Sequence, residues 1–284
     1  MLRDIRELAG DREAYAAELR RRWGGLLSYR YIGRSYASMN LGADDDTVTI
    51  RHDMRNPAGG LLLAVLGIAA PESGHMSDLE AVPNPVIHSC QVLDPGVGVS
   101  RIEMVSEELK RGRQMGYSRC KIFDADRPSR VLAQIDGQGI SIGTPPEGLE
   151  RMAVDPIDVV DSPDLPPLWR VFGARRRSDG RWTLPPLSAE VASPDAALHV
   201  GPQFVVLETA ALDLAAGIAG TDQLHGVSSH LMFVARGKVG PFRVDGEPMP
   251  GADGMVAVRT VMHDEGADNR VITVGSYLFR LADR

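Results

Sequence analysis

Two stretches of the chain, residues 59–70 and 201–216, read as helices that are apolar on nearly every side. A helix of that kind has to be surrounded by protein, because no face of it is suited to water. The two lie about 140 residues apart, and similar patterns follow them. Runs of strand character come at 97–107, 115–123 and from 130 onward after the first, and at 227–234, 255–262 and from 270 onward after the second. From Gly60 to Arg130 is 70 residues, and from Gly201 to Arg270 is 69. A short strand pair precedes each helix, 36–40 with 47–52 and 169–174 with 181–184. The order strand, strand, helix, three strands is thus written twice, which implies duplicated domains and not a solenoid. A strongly curved antiparallel sheet wrapped around one apolar helix is the α+β arrangement that buries such a helix, and two copies in one chain would mimic a dimer.

The 284 residues, 43% of them hydrophobic, suffice for two domain-sized units. Residues 146–167, rich in Pro, Asp and Gly, read as a linker between a first domain over 28–145 and a second over 168–284, with residues 1–27 as an added helical extension. A net charge of -7 argues against a nucleic-acid partner. The clusters Arg20-Arg21-Arg22 and Arg175-Arg176-Arg177 read as solvated faces. Cys90 and Cys120 are too few for a disulfide framework and lack metal-ligand spacing, and the charged start of the chain has no signal-peptide pattern. A reducing, cytoplasmic location is the expectation. The longest fully apolar run, 59–70, falls short of the roughly 18 residues that a bilayer span needs.

One carboxylate, Glu208, interrupts the second helix, with Phe204, Val205, Ala211 and Leu212 one turn to either side. Burial would raise its pKa and make it a candidate general base or nucleophile near neutral pH. The alternative is a partly exposed helix glutamate with ordinary solvation. Asp213 lies about 140° further round the helix, where solvent or an N–H at the sheet edge is its expected partner.

These residues resemble the hotdog-fold thioesterases of the phenylacetate-pathway type and their double-hotdog relatives. In that family His-Gly-Gly opens the central helix and a catalytic Asp or Glu follows nine positions after the His; here His199-Val200-Gly201 is followed at that distance by Glu208. A Gly-Val-Ser whose serine helps hold the attacking water is matched by Gly226-Val227-Ser228. The first half has Ala58-Gly59-Gly60 in the His-Gly-Gly place and Gly67 in place of the acid. The resemblance implies two tandem hotdog domains forming a pseudo-dimer. It implies a composite site with the Gly59 and Gly60 amides as oxyanion donors opposite Glu208 and Ser228, and one active site per chain, because Gly67 supplies no base. It further implies hydrolysis of an acyl-CoA without metal or bound cofactor, coenzyme A being part of the substrate. Glu208 would deprotonate a water or attack the thioester to give an anhydride.

His52 and Asn56 are candidate contacts to the substrate carbonyl or to water, and Arg111, Arg113, Arg236 and Lys238 are candidates for the coenzyme A phosphates. His199 is expected to support its loop, and a homo-oligomer through sheet edges is consistent with the family. Two alternatives stand beside the hydrolase. One is a non-catalytic acyl-CoA-binding protein of the same fold. The other is a hotdog enoyl-CoA hydratase, whose Asp-x-Asn-Pro-x-His signature is similar to Asp53-Met54-Arg55-Asn56-Pro57, although one extra residue intervenes and Ala58 stands where the histidine is needed.

Overall fold

A computed structural model describes residues 2–34, 47–70, 82–142 and 154–282. In chain order its elements are α1 (Arg12–Trp23), α2 (Leu27–Ile32), β1 (Thr47–Thr49), α3 (Leu63–Ala69), β2 (Val82–Val92), β3 (Arg101–Arg111), β4 (Met115–Asp124) and β5 (Arg127–Ile142). There follow α4 (Leu168–Val171), β6 (Arg175–Arg176), β7 (Trp182–Leu184), α5 (Val200–Ala219), β8 (Leu224–Phe233), β9 (Phe242–Pro250), β10 (Met255–Asp264) and β11 (Arg270–Leu281). The strands form one sheet in the order β1-β3-β4-β5-β2-β8-β11-β10-β9-β7-β6. Outward from the β2–β8 junction the order is the same on both sides, β2-β5-β4-β3-β1 and β8-β11-β10-β9-β7. Apart from β6, each strand of the second half lies about 140 residues after its counterpart, as do α4 after α2 and α5 after α3.

Side-chain alternation explains which face is covered. Along β4, Gly116, Ser118, Cys120, Ile122 and Asp124 are buried, and along β10, Val256, Val258, Thr260, Met262 and Asp264 are. A period of two puts all of these on one side. Helix α5 lies on that side against β9, β10 and β11, while α3 packs against β2, β8 and α5. By length and composition α5 is apolar enough to cross a membrane. In the fold most of it is buried, as the wrapped-helix reading requires.

Several sequence expectations are corrected. Each helix is followed by four strands, not three: β2 and β9 escape the pattern because each contains prolines, which remove ladder donors. They are tolerated where one flank is open. Pro85 sits at a bulge in the part of β2 that pairs only with β5, and Pro248 and Pro250 lie beyond the three residues of β9 that β7 covers. The stretch expected as a strand at 169–174 begins in α4, and the first apolar helix starts four residues late, at Leu63. Strand 36–40 lies outside the described residues. Helix α3 is short and has no side-chain cap of its own. At its C-terminal end the fully buried Arg34 donates to the carbonyls of Ile68 and Ala69, placing a cation where the helix dipole is negative.

Candidate active site

The other end of α3 is satisfied from the second half of the chain. Glu208, projecting from α5 and only 3% exposed, accepts the Leu63 N–H on Oε1 at 2.8 Å and the Ala64 N–H on Oε2 at 2.6 Å. These are amides of the first helical turn, which lack partners within the helix. Burial lifts the Glu208 carboxyl to about 7, against the opposing pull of the Ala64 and Leu63 hydrogen bonds, which favour the charged form. A carboxylate poised at that value takes or gives a proton near neutral pH.

Glu208 borders a cavity of about 470 Å³ between the two halves. The first half contributes His52, Asp53, Arg55, Asn56, Pro57, Leu62 and Ala64 to its walls. Across from them stand Val205, Thr209 and Leu212 of α5, with Leu165, Leu168 and Trp169 from the segment around α4. His52 is tied to Asp161 twice, by its main-chain N–H at 2.8 Å and by Nδ1 at 3.0 Å. Asp53 is held by Arg51, whose guanidinium also lies over the Tyr31 ring.

At the position in the first half that corresponds to Glu208, Gly67 packs so closely on Phe204 that a Cβ there would sit 3.1 Å from the ring. No equivalent carboxylate exists, and the space is filled. Helix α2 closes the same region. The Ser28 side chain presses on Gly201, and Tyr29 meets the His199 ring edge-on at 5.2 Å. His199 caps α5 by accepting the Gly201 N–H on Nδ1, and burial pushes its pKa down to about 3, so it serves the helix start as a neutral group.

Known structures align with the chain over most of its length. A tesB protein of Mycobacterium avium subspecies paratuberculosis does so at 12% identity and a TM-score of 0.57, covering 87% of this chain and 97% of that one. An acyl-CoA thioesterase II from Mycobacterium marinum matches at 12% identity and a TM-score of 0.56, covering 86% and 96%. A conserved protein of unknown function with a hotdog fold from Alicyclobacillus acidocaldarius matches at 9% identity and a TM-score of 0.55, again covering 86% and 96%. The fold is the hotdog fold. No protein-family model and no curated protein sequence matches the chain.

Within this hotdog fold the expected site residues divide into those the tertiary structure gathers and those it disperses. Glu208, His52 and Asn56 border one cavity. Gly59 and Gly60 stand near it, but their amides are taken: Gly59 N–H donates to the Asn56 carbonyl at 2.9 Å and Gly60 N–H to Asn56 Oδ1 at 3.0 Å. The N–H groups facing Glu208 belong to Leu63 and Ala64, because residues 59–62 are not helical.

Ser228 is turned away. Gly226 pairs with Phe279 and Ser228 with Leu278, so Val227 is an extra residue, a bulge that resets the alternation. Beyond it Ser229, Leu231 and Phe233 are buried, and His230 and Met232 are exposed on the side of Ser228. Ser229 is the inward serine, paired across the sheet with Cys90 and Tyr277. Burial, reinforced by the charge of Glu208, pushes the Cys90 thiol up to about 12 and raises Tyr277 as well. Gly226 has a structural role, since a Cβ there would lie 2.7 Å from Leu63 Cγ.

The expected phosphate contacts are elsewhere. Arg111 bonds Glu108 close to the β3–β4 hairpin that also carries the exposed Arg113. Arg236 makes a two-pronged contact with the buried Asp195, both bonds 2.7 Å, and Lys238 reaches the Asp195 carbonyl. Burial by itself would raise Asp195, yet Arg236 holds it down at about 2. Among the described residues no group of three His, Cys, Asp or Glu is placed to hold a metal ion. Sequence reasoning missed Leu63, Ala64, Ser229 and Trp169; the first three follow from where a helix starts and where a strand bulges, which local patterns do not signal.

Proposed function

We propose that the protein is a fused pair of hotdog domains that hydrolyses acyl thioesters of coenzyme A at a single site built around Glu208. The observation that carries this reading is the buried carboxylate of near-neutral pKa, set against two main-chain N–H groups at the edge of a largely apolar cavity. A thioester carbonyl entering the cavity would compete with Glu208 for the Leu63 and Ala64 amides, which would then stabilise the oxyanion. Glu208, so released, accepts a proton from water as the water oxygen bonds to the carbonyl carbon. The tetrahedral intermediate collapses by breaking the C–S bond, and the thiolate takes up the proton that Glu208 holds. Direct attack by Glu208, giving an anhydride that water then opens, uses the same groups. The duplicated strand order supports the fused pair, and Gly67 packed on Phe204 supports one site per chain.

One observation favours a second reading, a non-catalytic acyl-CoA-binding protein: both oxygens of Glu208 already cap α3, a role that needs no chemistry. Thiol release from acyl-CoAs of acetyl to palmitoyl length, measured for the wild type and Glu208→Gln, separates the two. Turnover that the substitution abolishes is expected. Tight acyl-CoA binding without turnover at any length would replace the hydrolase with the binding protein.

A further inference from the structure

The lining of the cavity is of two unlike kinds. Along α5 it is bordered by Val205, Glu208, Thr209 and Leu212, one helical face at spacings of three and four residues. The polar part includes His52, which is paired with Asp161, their side chains 57% and 45% exposed. The apolar part is made by Leu212, Leu165, Leu168 and Trp169. A thioester whose carbonyl lies at Glu208 and whose acyl group follows α5 to Leu212 brings that group to the apolar part and leaves the exposed His52 to the hydrophilic carrier. Leu212 is one helical turn, about 5–6 Å, beyond Glu208.

Trp169 is braced by a second indole. Its ring meets Trp182 edge-to-face at 5.0 Å, and the Trp182 indole N–H donates to Asp213, the residue after Leu212, at 3.2 Å. Asp213 is in turn paired with Arg176 at 3.2 Å, and the Arg170 guanidinium lies 5.5 Å over the Trp169 ring. This buttress gives Asp213, which the thioester chemistry leaves unused, a defined task.

Building on the hydrolase reading, we propose that Trp169 is the stop that sets the length of the acyl group, with Trp182 and Asp213 as the positioning residues behind it. The pocket then takes short to medium acyl chains, and longer ones are rejected where they meet the indole. In a hydrophobic pocket one methylene too many costs about tenfold or more in kcat/KM.

The test is the kcat/KM profile over acyl-CoAs of increasing length for the wild type, Trp169→Ala and Trp182→Phe. The wild type should fall off beyond a medium length. Trp169→Ala should raise kcat/KM about tenfold or more for the chains just past that limit, and Trp182→Phe should shift the limit less and in the same direction. An unchanged limit in a folded Trp169→Ala protein overturns the proposal. If that variant does not fold, Trp169→Phe and Trp182→Phe carry the test, and an unchanged limit in both overturns it equally. Should the wild type hydrolyse no thioester, the hydrolase reading fails by itself. The same acyl-CoAs are then titrated calorimetrically: a length limit in binding that relaxes in Trp169→Ala supports the stop, and a limit that stays, or no binding at all, refutes it.

Discussion

Glu208→Gln replaces a buried carboxyl by a neutral amide of the same shape, and its effect on stability depends on pH in a way that Glu208 alone should dictate. Burial lifts this carboxyl from 4.5 to about 7 in the folded protein. The folded state therefore holds the proton more tightly than the unfolded chain, and stability falls as pH rises through that interval, by about 3 kcal/mol in all. Below about 4.5 none of the loss is present, and above about 7 all of it is. The amide does not titrate. Whatever constant amount Gln loses by offering Leu63 and Ala64 a single acceptor, about 1–3 kcal/mol, the difference between variant and wild type should move by about 3 kcal/mol in the variant's favour between pH 4.5 and pH 8. In a chain of this size that is roughly 6 °C of relative Tm. Burial pushes His88 and His199 down to about 4 and about 3, but they titrate in both proteins and cancel in the difference. Thermal melts of the pair across this range are the assay. Parallel Tm curves would refute the buried-charge reasoning. In the same pair, wild-type kcat should rise to a plateau above pH 7 as Glu208 loses its proton, and the variant should lose about 10²–10⁴-fold and show no such rise.

Other substitutions probe the groups around this carboxylate. Leu63 is the first residue of α3, a position that accepts proline, and Leu62 before it is already extended; Leu63→Pro removes one N–H from Glu208 and should lower kcat about 10²-fold, and an unaltered kcat with intact circular dichroism would end the oxyanion role. Gly226→Ala would force a Cβ to within 2.7 Å of Leu63 Cγ, so urea unfolding should show a loss of about 1–3 kcal/mol; no loss would mean that Leu63 moves aside freely. Arg34→Met strips the C-terminal carbonyls of α3 of their buried donor, at about 2–4 kcal/mol in guanidinium unfolding; a change under about 0.5 kcal/mol would show that the arginine contributes little to holding α3.

Much of the fold is legible in local pattern. Alternating residues mark β4, β10 and β11, a mostly apolar helical period marks α5, and the interval of about 140 residues between corresponding elements marks the repeated element order. The prolines of β2 and β9 hide those strands, because whether a missing N–H matters depends on where the neighbouring strand stops. Glu208 stands out as a charge in an apolar setting, and that anomaly survives folding as a pKa of about 7. Its partners do not stand out. Leu63 and Ala64 look like ordinary core residues until a carboxylate about 145 positions away bonds their amides. Ser228 and Ser229 are equivalent on paper, and the extra residue at Val227, created by pairing with β11, decides which of them faces inward.

By itself, then, the sequence determined the long apolar helix and most strands, their repeated order, and the carboxylate set among apolar residues, since each depends on residues a few positions apart. Only the tertiary structure decided which amides meet that carboxylate, which serine points in, which charged residues are spent on one another, and that Trp169 lines the cavity. Those outcomes come from pairing and packing between segments far apart in the chain, whose geometry no local period encodes.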